Sequence, residues 1–259
     1  MKTLVSCLAA ILLAVGCNQP SSPVAEKPAG ATTTPSSPPE TPPTTTQAAP
    51  DKTTSAASTS TDSAPTLDQI PADVKTDAFA YEGLANDKMQ HFEDTMSKHK
   101  NATGTFQVKL KEIKDGKATF EEVATGGIEG GQTEDMSADS TGIYHEKLSP
   151  FTLKTPHVIE LPAKLAPGDT WKDKTTIDAE GNVISTSSVN KVIGMKKITT
   201  KLGSFDALEI DSPGDGTFQG KPIKVDLKRW FVKDVGVVRQ TETMKLPGST
   251  TTVTREFTK

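Results

Sequence analysis

Residues 105–123 read TFQVKLKEIKDGKATFEEV, and this stretch decides the class of fold. In its first half polar and apolar residues alternate, so that Phe106, Val108 and Leu110 fall on one face of an extended strand. The Lys-Asp-Gly triplet at residues 114–116 predicts a tight turn, after which a second strand returns beside the first. The stretch therefore predicts a β-hairpin with one apolar face.

The same two-residue alternation continues downstream of the hairpin. Gly, Asp and Pro residues separate the segments, and no helical crossover pattern lies between them. The chain is therefore predicted to be mainly β, with a curved antiparallel sheet or a partly open β-barrel of about ten strands. The strands expected after the hairpin are residues 142–146, 157–161, 171–178, 183–193, 197–201, 205–211, 223–232, 236–244 and 250–257.

One segment before the hairpin has a different period. Apolar residues from Ala85 to Met96 recur at spacings of four, three and four, which is typical of one face of a helix. We therefore predict an N-terminal helix within residues 81–99, with a first strand over residues 89–96 as the alternative. Either structure places the same apolar side chains in the core.

Residues 1–16 have the form of a lipoprotein signal peptide. Lys2 precedes an apolar run over residues 4–15, which is too short to be a settled membrane span. Small residues stand directly before Cys17, and this arrangement resembles the lipobox of bacterial lipoproteins, in which the cysteine is acylated and becomes the mature N-terminus. An ordinary secretory signal followed by a chance cysteine is the alternative.

Lipidation of Cys17 predicts where the protein resides. Acyl chains such as palmitate on that residue are enough for stable membrane anchoring. Cys7 is removed with the signal peptide, so no disulfide within the mature chain is expected. Asn18 follows the cysteine where Asp marks retention at the inner membrane, which favours the outer membrane where one exists. We expect a lipid-anchored protein of the cell envelope, on its periplasmic or cell-surface face.

Residues 17–65 are predicted to be a disordered spacer. After Cys17, 37 of the 48 residues are Pro, Thr, Ser or Ala, and Val24 is the only sizeable aliphatic residue. Such a segment cannot bury enough apolar surface to offset chain entropy, and its prolines favour extended polyproline II conformation. It either lifts the folded domain off the membrane or is a neutral spacer with no length requirement.

Residues 66–259 are predicted to form a single β-rich domain. All 13 aromatic residues of the chain lie between Phe79 and Phe257. The net charge of the whole chain is -4, with acidic and basic residues interspersed. This balance excludes a large basic surface for nucleic acid and does not favour an acidic membrane surface as partner.

Three stretches in the second half of the domain carry a resemblance to a known family. They are LPAKLAPGDTW at residues 161–171, VIGMKKITTKLGSFDALEI at residues 192–210 and RWFVKDVGVVR at residues 229–239. Together they resemble a family of uncharacterised bacterial envelope lipoproteins over roughly residues 140–245, although the turn at residues 201–205 has lost the family's proline. The resemblance implies a partly open antiparallel β-barrel, similar in outline to the LolA/LolB lipoprotein carriers. It assigns no catalytic residue.

The same stretches contain residues that are expected to determine the fold. Glycines at the predicted turns suit backbone conformations with positive φ, and aromatic residues supply apolar area to the strands. The glycines are Gly168, Gly203 and Gly236, and the aromatic residues, for which packing is favoured over ligand contact, are Trp171, Phe205, Trp230 and Phe231.

No motif for catalysis, metal binding or a cofactor occurs in the sequence, so none of these sites is predicted. The histidines lack ligand spacing and are expected to be exposed or at the edge of the core. Two acidic groups place carboxylates within reach of one hard cation such as calcium. We interpret them as turn residues, because neither has the ligand order of an EF-hand loop. Three lysines are interpreted as a solvated face or as edge protection. The residues are His91, His99, His145 and His157; Glu134, Asp135 and Asp139, with Asp211 and Asp215 as the second acidic group; and Lys196, Lys197 and Lys201.

These observations favour a non-enzymatic binding or assembly module of the cell envelope. Its predicted partners are the membrane, through the lipid on Cys17, and an unknown protein, cell-wall component or hydrophobic ligand. The alternative function is a carrier that holds a lipid or acyl chain in the concave face of the β domain. An enzyme has the least support.

Overall fold

The computed structural model describes residues 64–96, 101–128 and 130–259. The predicted signal peptide over residues 1–16, the lipidation site Cys17 and the spacer as far as residue 63 lie outside the described residues, as does His99. Among those described, no helix is long and apolar enough to cross a membrane.

Thirteen strands form one antiparallel sheet, preceded by a 3-10 turn over Leu67–Gln69 and the short helix α1 over Asp77–Glu82. The strands are β1 (Gln90–Met96), β2 (Ala102–Lys114), β3 (Lys117–Gly126), β4 (Gln132–Asp139), β5 (Gly142–Ser149), β6 (Thr152–Leu153), β7 (Val158–Pro162), β8 (Thr170–Ala179), β9 (Asn182–Thr200), β10 (Gly203–Phe218), β11 (Lys221–Val232), β12 (Gly236–Leu246) and β13 (Ser249–Thr258).

The strand order is β6-β8-β9-β10-β11-β12-β13-β1-β2-β3-β4-β5-β7. The first strand pairs with the last, and strands β6 and β7 end the sheet on its two sides. The prediction of a mainly β, curved antiparallel sheet is confirmed, with thirteen strands in place of about ten.

The hairpin that decided the fold class is present as β2 and β3. Lys114 pairs with Lys117, and the two residues between them, Asp115 and Gly116, have φ of 49° and 75°. Positive φ at both central residues is typical of a type I′ turn, whose twist matches that of the flanking strands. The predicted inward side chain of Phe106 is buried.

The helix predicted within residues 81–99 was wrong, and the alternative of a first strand is correct. Helix α1 ends at Glu82, and Gly83 follows in the left-handed conformation with φ of 70°. The apolar spacing misleads because Phe92 and Met96 share an inward face with a buried polar residue, Asp94. Backbone pairing with β2 on one side and β13 on the other stabilises the extended form.

The acidic residues interpreted as turn residues lie in strands, so that interpretation was wrong. Glu134 and Asp135 are in β4, which ends at Asp139. Asp211 and Asp215 are in β10, and their carboxylates pair with Lys228 and Lys224 of β11 at 3.2 and 3.5 Å. Direct cross-strand register brings each of these two carboxylates opposite its lysine.

The interpretation of the lysines near residue 200 is confirmed for Lys196 and Lys197, whereas Lys201 lies in the turn after β9, with its Nζ 2.7 Å from Glu93. Strand β9 runs unbroken over the two strands that were predicted there, but β8 pairs only with its first half, up to Lys191. Lys196 and Lys197 are exposed on the second half, which has β10 alone as a strand neighbour within the described residues. Charged side chains on such a stretch hinder pairing with a foreign strand.

The predicted turn glycines have positive φ, at 95° for Gly168, 145° for Gly203 and 100° for Gly236. Each stands at the start of a strand or just before one. Of the aromatic residues, Phe231 is fully buried and Trp171 packs against the core. Trp230 is partly exposed and its Nε1 donates a hydrogen bond to Glu209 at 3.3 Å.

The interior of the sheet is arranged in three tiers. One apolar cluster lies toward α1 and includes Phe120 and Phe231, and a second lies toward the other end and includes Ile177 and Met244. Between them most strands contribute a polar side chain, and we call this layer the polar tier. It consists of Asp94, Glu122, Glu134, His145, Glu160, Asp173, Thr175, Thr186, Ser188, Asn190, Ser212, Arg229, Gln240, Glu242 and Arg255.

Candidate functional site

The polar tier is the candidate functional site, because it collects ionisable side chains at a depth where unpaired charge is costly. The alternation of each strand places them there. On β11, for example, Leu227, Arg229 and Phe231 point inward in succession, so that a charged residue stands between two apolar ones. The same order recurs on β13 with Val253, Arg255 and Phe257, which is not a surface pattern.

Four residues, each in contact with the next, form a chain across the interior from β4 to β11. Glu160 of β7 accepts a hydrogen bond from Nη1 of Arg229, and its other oxygen lies 3.2 Å from Nε2 of His145. The second ring nitrogen of His145 contacts the carboxyl of Glu134. The imidazole is therefore held between two carboxyl groups, with no solvent exposure.

Burial controls the ionisation of this chain. It raises the pKa of Glu134 to about 8 and lowers the pKa of His145 well below its ordinary value. Burial also lowers the pKa of Arg229 to about 10, which still leaves the guanidinium charged at neutral pH. In each case removal from water disfavours the charged form of the group.

These directions assign the protons. A protonated Glu134 donates to Nδ1 of a neutral His145, and the proton on Nε2 then points to Glu160. Glu160 accepts from both His145 and Arg229, as an ionised carboxylate can. The proton on Glu134 thus neutralises that carboxyl group, and the guanidinium of Arg229 neutralises Glu160.

Two further carboxyl groups face the same chain. Glu82, the last residue of α1, is fully buried, and its charge acts on Glu134, His145 and Arg229. Neither of its oxygens has a hydrogen-bond partner among the described residues. Asp173 of β8 accepts from the amide of Asn190 at 2.6 Å, and burial raises its pKa.

Hydroxyl groups line the adjoining wall on β8, β9 and β10. Cross-strand register sets Thr175 opposite Thr186 and Asp173 opposite Ser188, while Ser212 follows on β10. All four hydroxyl-bearing residues are at most 2% exposed. Within the described part of the chain their hydroxyl oxygens have no hydrogen-bond partner.

The opposite side of the tier holds a separate ion pair. Arg255 donates from Nε and Nη2 to the two oxygens of Asp94, at 2.7 and 2.9 Å. Asp94 also accepts from the backbone of Ile128, and the guanidinium stacks 4.1 Å from the ring centroid of Phe92. A two-point contact of this kind is among the strongest that a guanidinium and a carboxylate form.

A second group containing a histidine lies nearer the surface. Glu146 accepts from Ser137 at 2.5 Å and contacts Nδ1 of His157 at 2.9 Å, and the imidazole stacks on Tyr144. The carboxylate stands between the hydroxyl and the imidazole. The order needed for a nucleophile, in which histidine contacts serine directly, is therefore not formed here.

The structure places one of the histidines differently from the prediction. His145 is fully buried and paired, so the expectation of an exposed or core-edge position was wrong for it. His91 and His157 are exposed, as expected. The two acidic groups compared with calcium sites do not converge on one point, and the described residues contain no group of three side chains able to hold a metal ion.

Sequence reasoning missed the residues of the polar tier. The signal was available, since His145 stands two positions after Ile143, and Arg229 two before Phe231. Period-two alternation places such residues on the inward face. What the alternation cannot show is which inward residues of distant strands meet.

Ten of the fifteen residues of the polar tier lie in a stretch that matches a family model. Residues 147–251 match the model of the DUF3108-like family. The DUF3108-like match falls largely within the region of the expected resemblance and includes Glu160, Arg229 and the hydroxyl wall. Glu134, His145, Asp94 and Arg255 lie outside the matched residues. No curated protein sequence matches the chain.

Three solved structures match the chain at low identity. A protein described as exported, with a YmcC-like fold, from Bacteroides fragilis is 10% identical, with a TM-score of 0.49 over 66% of this chain and 94% of its own. A protein described as a lipoprotein from Parabacteroides distasonis is 12% identical, with a TM-score of 0.48 over 65% and 92%. The lipoprotein YmcC of Escherichia coli is 11% identical, with a TM-score of 0.34 over 74% and 90%.

Proposed function

We propose that this protein is an exported, lipid-anchored protein of the cell envelope whose β domain acts as a non-enzymatic binding or assembly module. The observation that carries the proposal is the state of the polar tier. Four of its ionisable groups, Glu134, His145, Glu160 and Arg229, are engaged with one another. A group committed in this way holds the fold together and is not poised above a substrate.

The surroundings of the histidines support a role without catalysis. Both ring nitrogens of His145 are occupied by carboxyl groups, and burial keeps the ring neutral by lowering its pKa. At the surface, Glu146 separates His157 from the hydroxyl of Ser137. Neither histidine is placed to activate a nucleophile.

Carriage of a hydrophobic ligand is the alternative, and the polar tier gives it less support. An acyl chain running along the concave face from one apolar cluster to the other would cover Glu134, Glu160 and Arg229. Apolar contact with such groups replaces no hydrogen bond and is costly. The predicted similarity in outline to the LolA/LolB carriers belongs to this alternative.

The proposed location rests on residues 1–17. The apolar run ending in small residues before Cys17 supports export and acylation, and the Pro/Thr/Ser-rich spacer supports a domain held at a distance from the membrane. Asn18 supports sorting to the outer membrane where there is one.

The test of location uses the full chain in a bacterium that processes lipoproteins. We expect the wild-type chain in the membrane fraction and Cys17→Ser outside it or unprocessed. Cys7→Ser is a matched control, because that cysteine is predicted to be removed with the signal peptide. A wild-type chain that leaves the membrane fraction as readily as Cys17→Ser would refute the anchoring part of the proposal.

The test of the module uses the same cells. Crosslinking is expected to capture a defined protein or cell-wall component with the wild-type chain. Organic extraction of the purified full chain tests the alternative of ligand carriage. Lipid bound covalently to Cys17 is not extracted as a free molecule, so any free lipid in the extract comes from the β domain. A single extracted lipid near one per chain would establish carriage and overturn the module.

A further inference from the structure

Strand β2 has one edge that no other strand covers along most of its length. It pairs with β3 over residues 104–114, but with β1 only over residues 102–106. The chain before β1 bends at Lys88 and does not continue beside β2. Within the described ranges, residues 107–114 therefore have a strand neighbour on one side only. On such an edge, every second residue points its backbone N–H and C=O groups toward the open side.

A groove of about 630 Å³ lies beside the first half of this open edge. It is formed between β2, the segment before α1 and the loop after α1. Its apolar lining includes Leu67, Leu84 and Val108, and its polar lining includes Asp68 and Asp87. A volume of this size lies in the range of sites that hold a ligand, well above the small voids between packed side chains.

The usual protection of an open edge is weak along residues 107–110. Natural sheets block their edges with bulges, prolines, lysines or a covering segment. Lys111 does not cover this edge, because its Nζ lies 2.8 Å from Glu121 on the side that is paired. The register of β2 and β3 shifts between Leu110 and Glu112, so the regular stretch ends there. Residues 107–110 are thus free to pair with an extended chain in the groove.

The charge of the groove indicates what kind of chain fits it. Asp68 and Asp87 are exposed, and neither carboxylate has a basic partner within the described part of the chain. Lys109 is the only basic residue in the lining, so two carboxylates face one ammonium group. A basic side chain on a bound segment therefore meets complementary charge in this groove.

We propose that this groove binds an extended segment of another polypeptide, which adds as a strand to residues 107–110 of β2 and carries a basic residue toward Asp68 and Asp87. Backbone hydrogen bonds to the open edge hold such a segment in place, and the apolar lining accepts its inward side chains. We call this site the strand-addition groove.

Other occupants fit the strand-addition groove less well. An acyl chain has no hydrogen-bonding groups, so it would bury the backbone groups of the open edge without partners. A second copy that presented the same edge would bring two sets of exposed carboxylates together. An extended basic segment satisfies both the backbone groups and the charge.

This inference rests on the binding module proposed above and names a class of partner for it. The two proposals can fail separately. A chain that binds no peptide in the test below, but crosslinks to a defined component in cells, excludes the strand-addition groove and leaves the module standing. A chain that binds peptide in the groove but captures no component in cells has the opposite meaning.

The test measures the binding of labelled eight-residue peptides to the purified full chain in detergent, by fluorescence anisotropy. A peptide in which valine alternates with lysine is expected to bind and to saturate. The same peptide with every backbone amide N-methylated keeps its side chains and charge but has no N–H donor. A peptide with glutamate in place of lysine keeps the donors and reverses the charge. Both are expected to bind more than about tenfold more weakly.

Three results of this measurement would overturn the proposal. The first is equal binding of the N-methylated peptide, which would assign the groove to apolar ligands in general. The second is equal binding of the glutamate peptide, which would exclude the role of the two carboxylates. The third is no binding of the valine–lysine peptide, and if sedimentation then showed dimers of the free chain, a second copy would be the occupant.

Matched variants test whether the peptide lies in the strand-addition groove. Asp68→Asn/Asp87→Asn keeps the shape of both side chains and is expected to weaken binding of the valine–lysine peptide about fivefold, as for two exposed ion pairs. Asp73→Asn/Asp206→Asn removes the same charge at exposed positions outside the groove and should leave the affinity unchanged. Equal weakening by the two double variants would show attraction to the net charge of the chain and would overturn the site.

Discussion

Two arginines lie in the polar tier, and their settings differ. Arg255 makes a two-point contact with Asp94, which also accepts from the backbone of Ile128. Arg229 donates one hydrogen bond, from Nη1 to Glu160, and its guanidinium lies 5.2 Å from the ring centroid of Phe231. Its Nε has no hydrogen-bond partner among the residues described. Both guanidinium groups are almost completely buried.

The difference lies in how each arginine is neutralised. Asp94 neutralises Arg255 through the two-point contact. Arg229 faces Glu160, Glu82 and Asp173, and the balance there depends on protons. The comparison indicates that Arg255 is held by a two-point contact, whereas the charge around Arg229 changes with the protonation of Glu134.

The largest expected effect comes from breaking the Asp94–Arg255 pair. Arg255→Met leaves the carboxylate of Asp94 buried without its counter-ion, and we expect a loss of about 3–5 kcal/mol in the free energy of unfolding. Urea denaturation measures it. The double variant Asp94→Leu/Arg255→Met should recover part of the loss, and a single variant as stable as the double would contradict the assignment.

Arg229→Met is expected to cost roughly 2 kcal/mol at pH 6, because Glu134, whose pKa burial raises to about 8, is still protonated there. At pH 9 the loss should grow, since Glu134 must then carry charge without the guanidinium. Arg255→Met should show no such growth over the same range. Equal pH dependence of the two variants would remove the distinction between the sides.

Glu134 should make the stability of the wild-type protein fall at alkaline pH. Its pKa is raised from 4.5 to about 8 in the folded state, so its contribution is complete below pH 4.5 and is lost as the pH rises to 8. His145 acts oppositely, because its lowered pKa makes its contribution complete above pH 6.5 and lost as the pH falls. Below pH 6.5 the contributions of Glu134 and His145 to stability change in opposite directions with pH. Between pH 6.5 and 8 only that of Glu134 changes, and the free energy of unfolding is expected to fall by up to about 2 kcal/mol.

Glu134→Gln should remove this fall, because an amide does not ionise. Unfolding free energies measured by urea at several pH values between 6 and 9 test it. Asp135→Asn is the matched control, since this neighbour on β4 is partly exposed and pairs with Lys111 at 3.8 Å. A profile that Asp135→Asn flattens as much as Glu134→Gln would show that the effect is not specific to the buried carboxyl.

The smallest effect is expected outside the interior. Asp215 and Lys224 stand opposite each other in the register of β10 and β11, at 3.5 Å, but both are mostly exposed. We expect Lys224→Ala to change the free energy of unfolding by less than about 0.5 kcal/mol. A loss comparable to that of Arg229→Met would mean that burial does not separate the two kinds of pair.

The fold was predictable to the extent that it depends on local pattern. Alternation and turn chemistry identified the β2–β3 hairpin, where Asp115 and Gly116 supply the positive φ that the turn needs. Helical spacing over residues 81–99 was misleading, because β1 is stabilised by pairing with β13, more than 150 residues away in sequence. Such pairing leaves no local sign.

The candidate site was less predictable. Glu134 was visible in the sequence but was interpreted with Asp135 as part of a turn, whereas the two side chains point to opposite sides of β4. The contact between Glu160 and Arg229 joins strands that are far apart both in sequence and in the order of the sheet. Only the curvature of the sheet brings them together.

The pairing of β1 with β13 has a consequence for how the domain is made. Neighbouring hairpins assemble from contacts close in sequence, and β1 can pair with β2 in this way, but its other edge stays unpaired until β13 has been synthesised. In a nascent chain without residues 249–258, the edges of β1 and β12 that pair with β13 are therefore both unpaired. The folding rate should be limited by this late closure, and newly made chains are most exposed to aggregation just before it occurs.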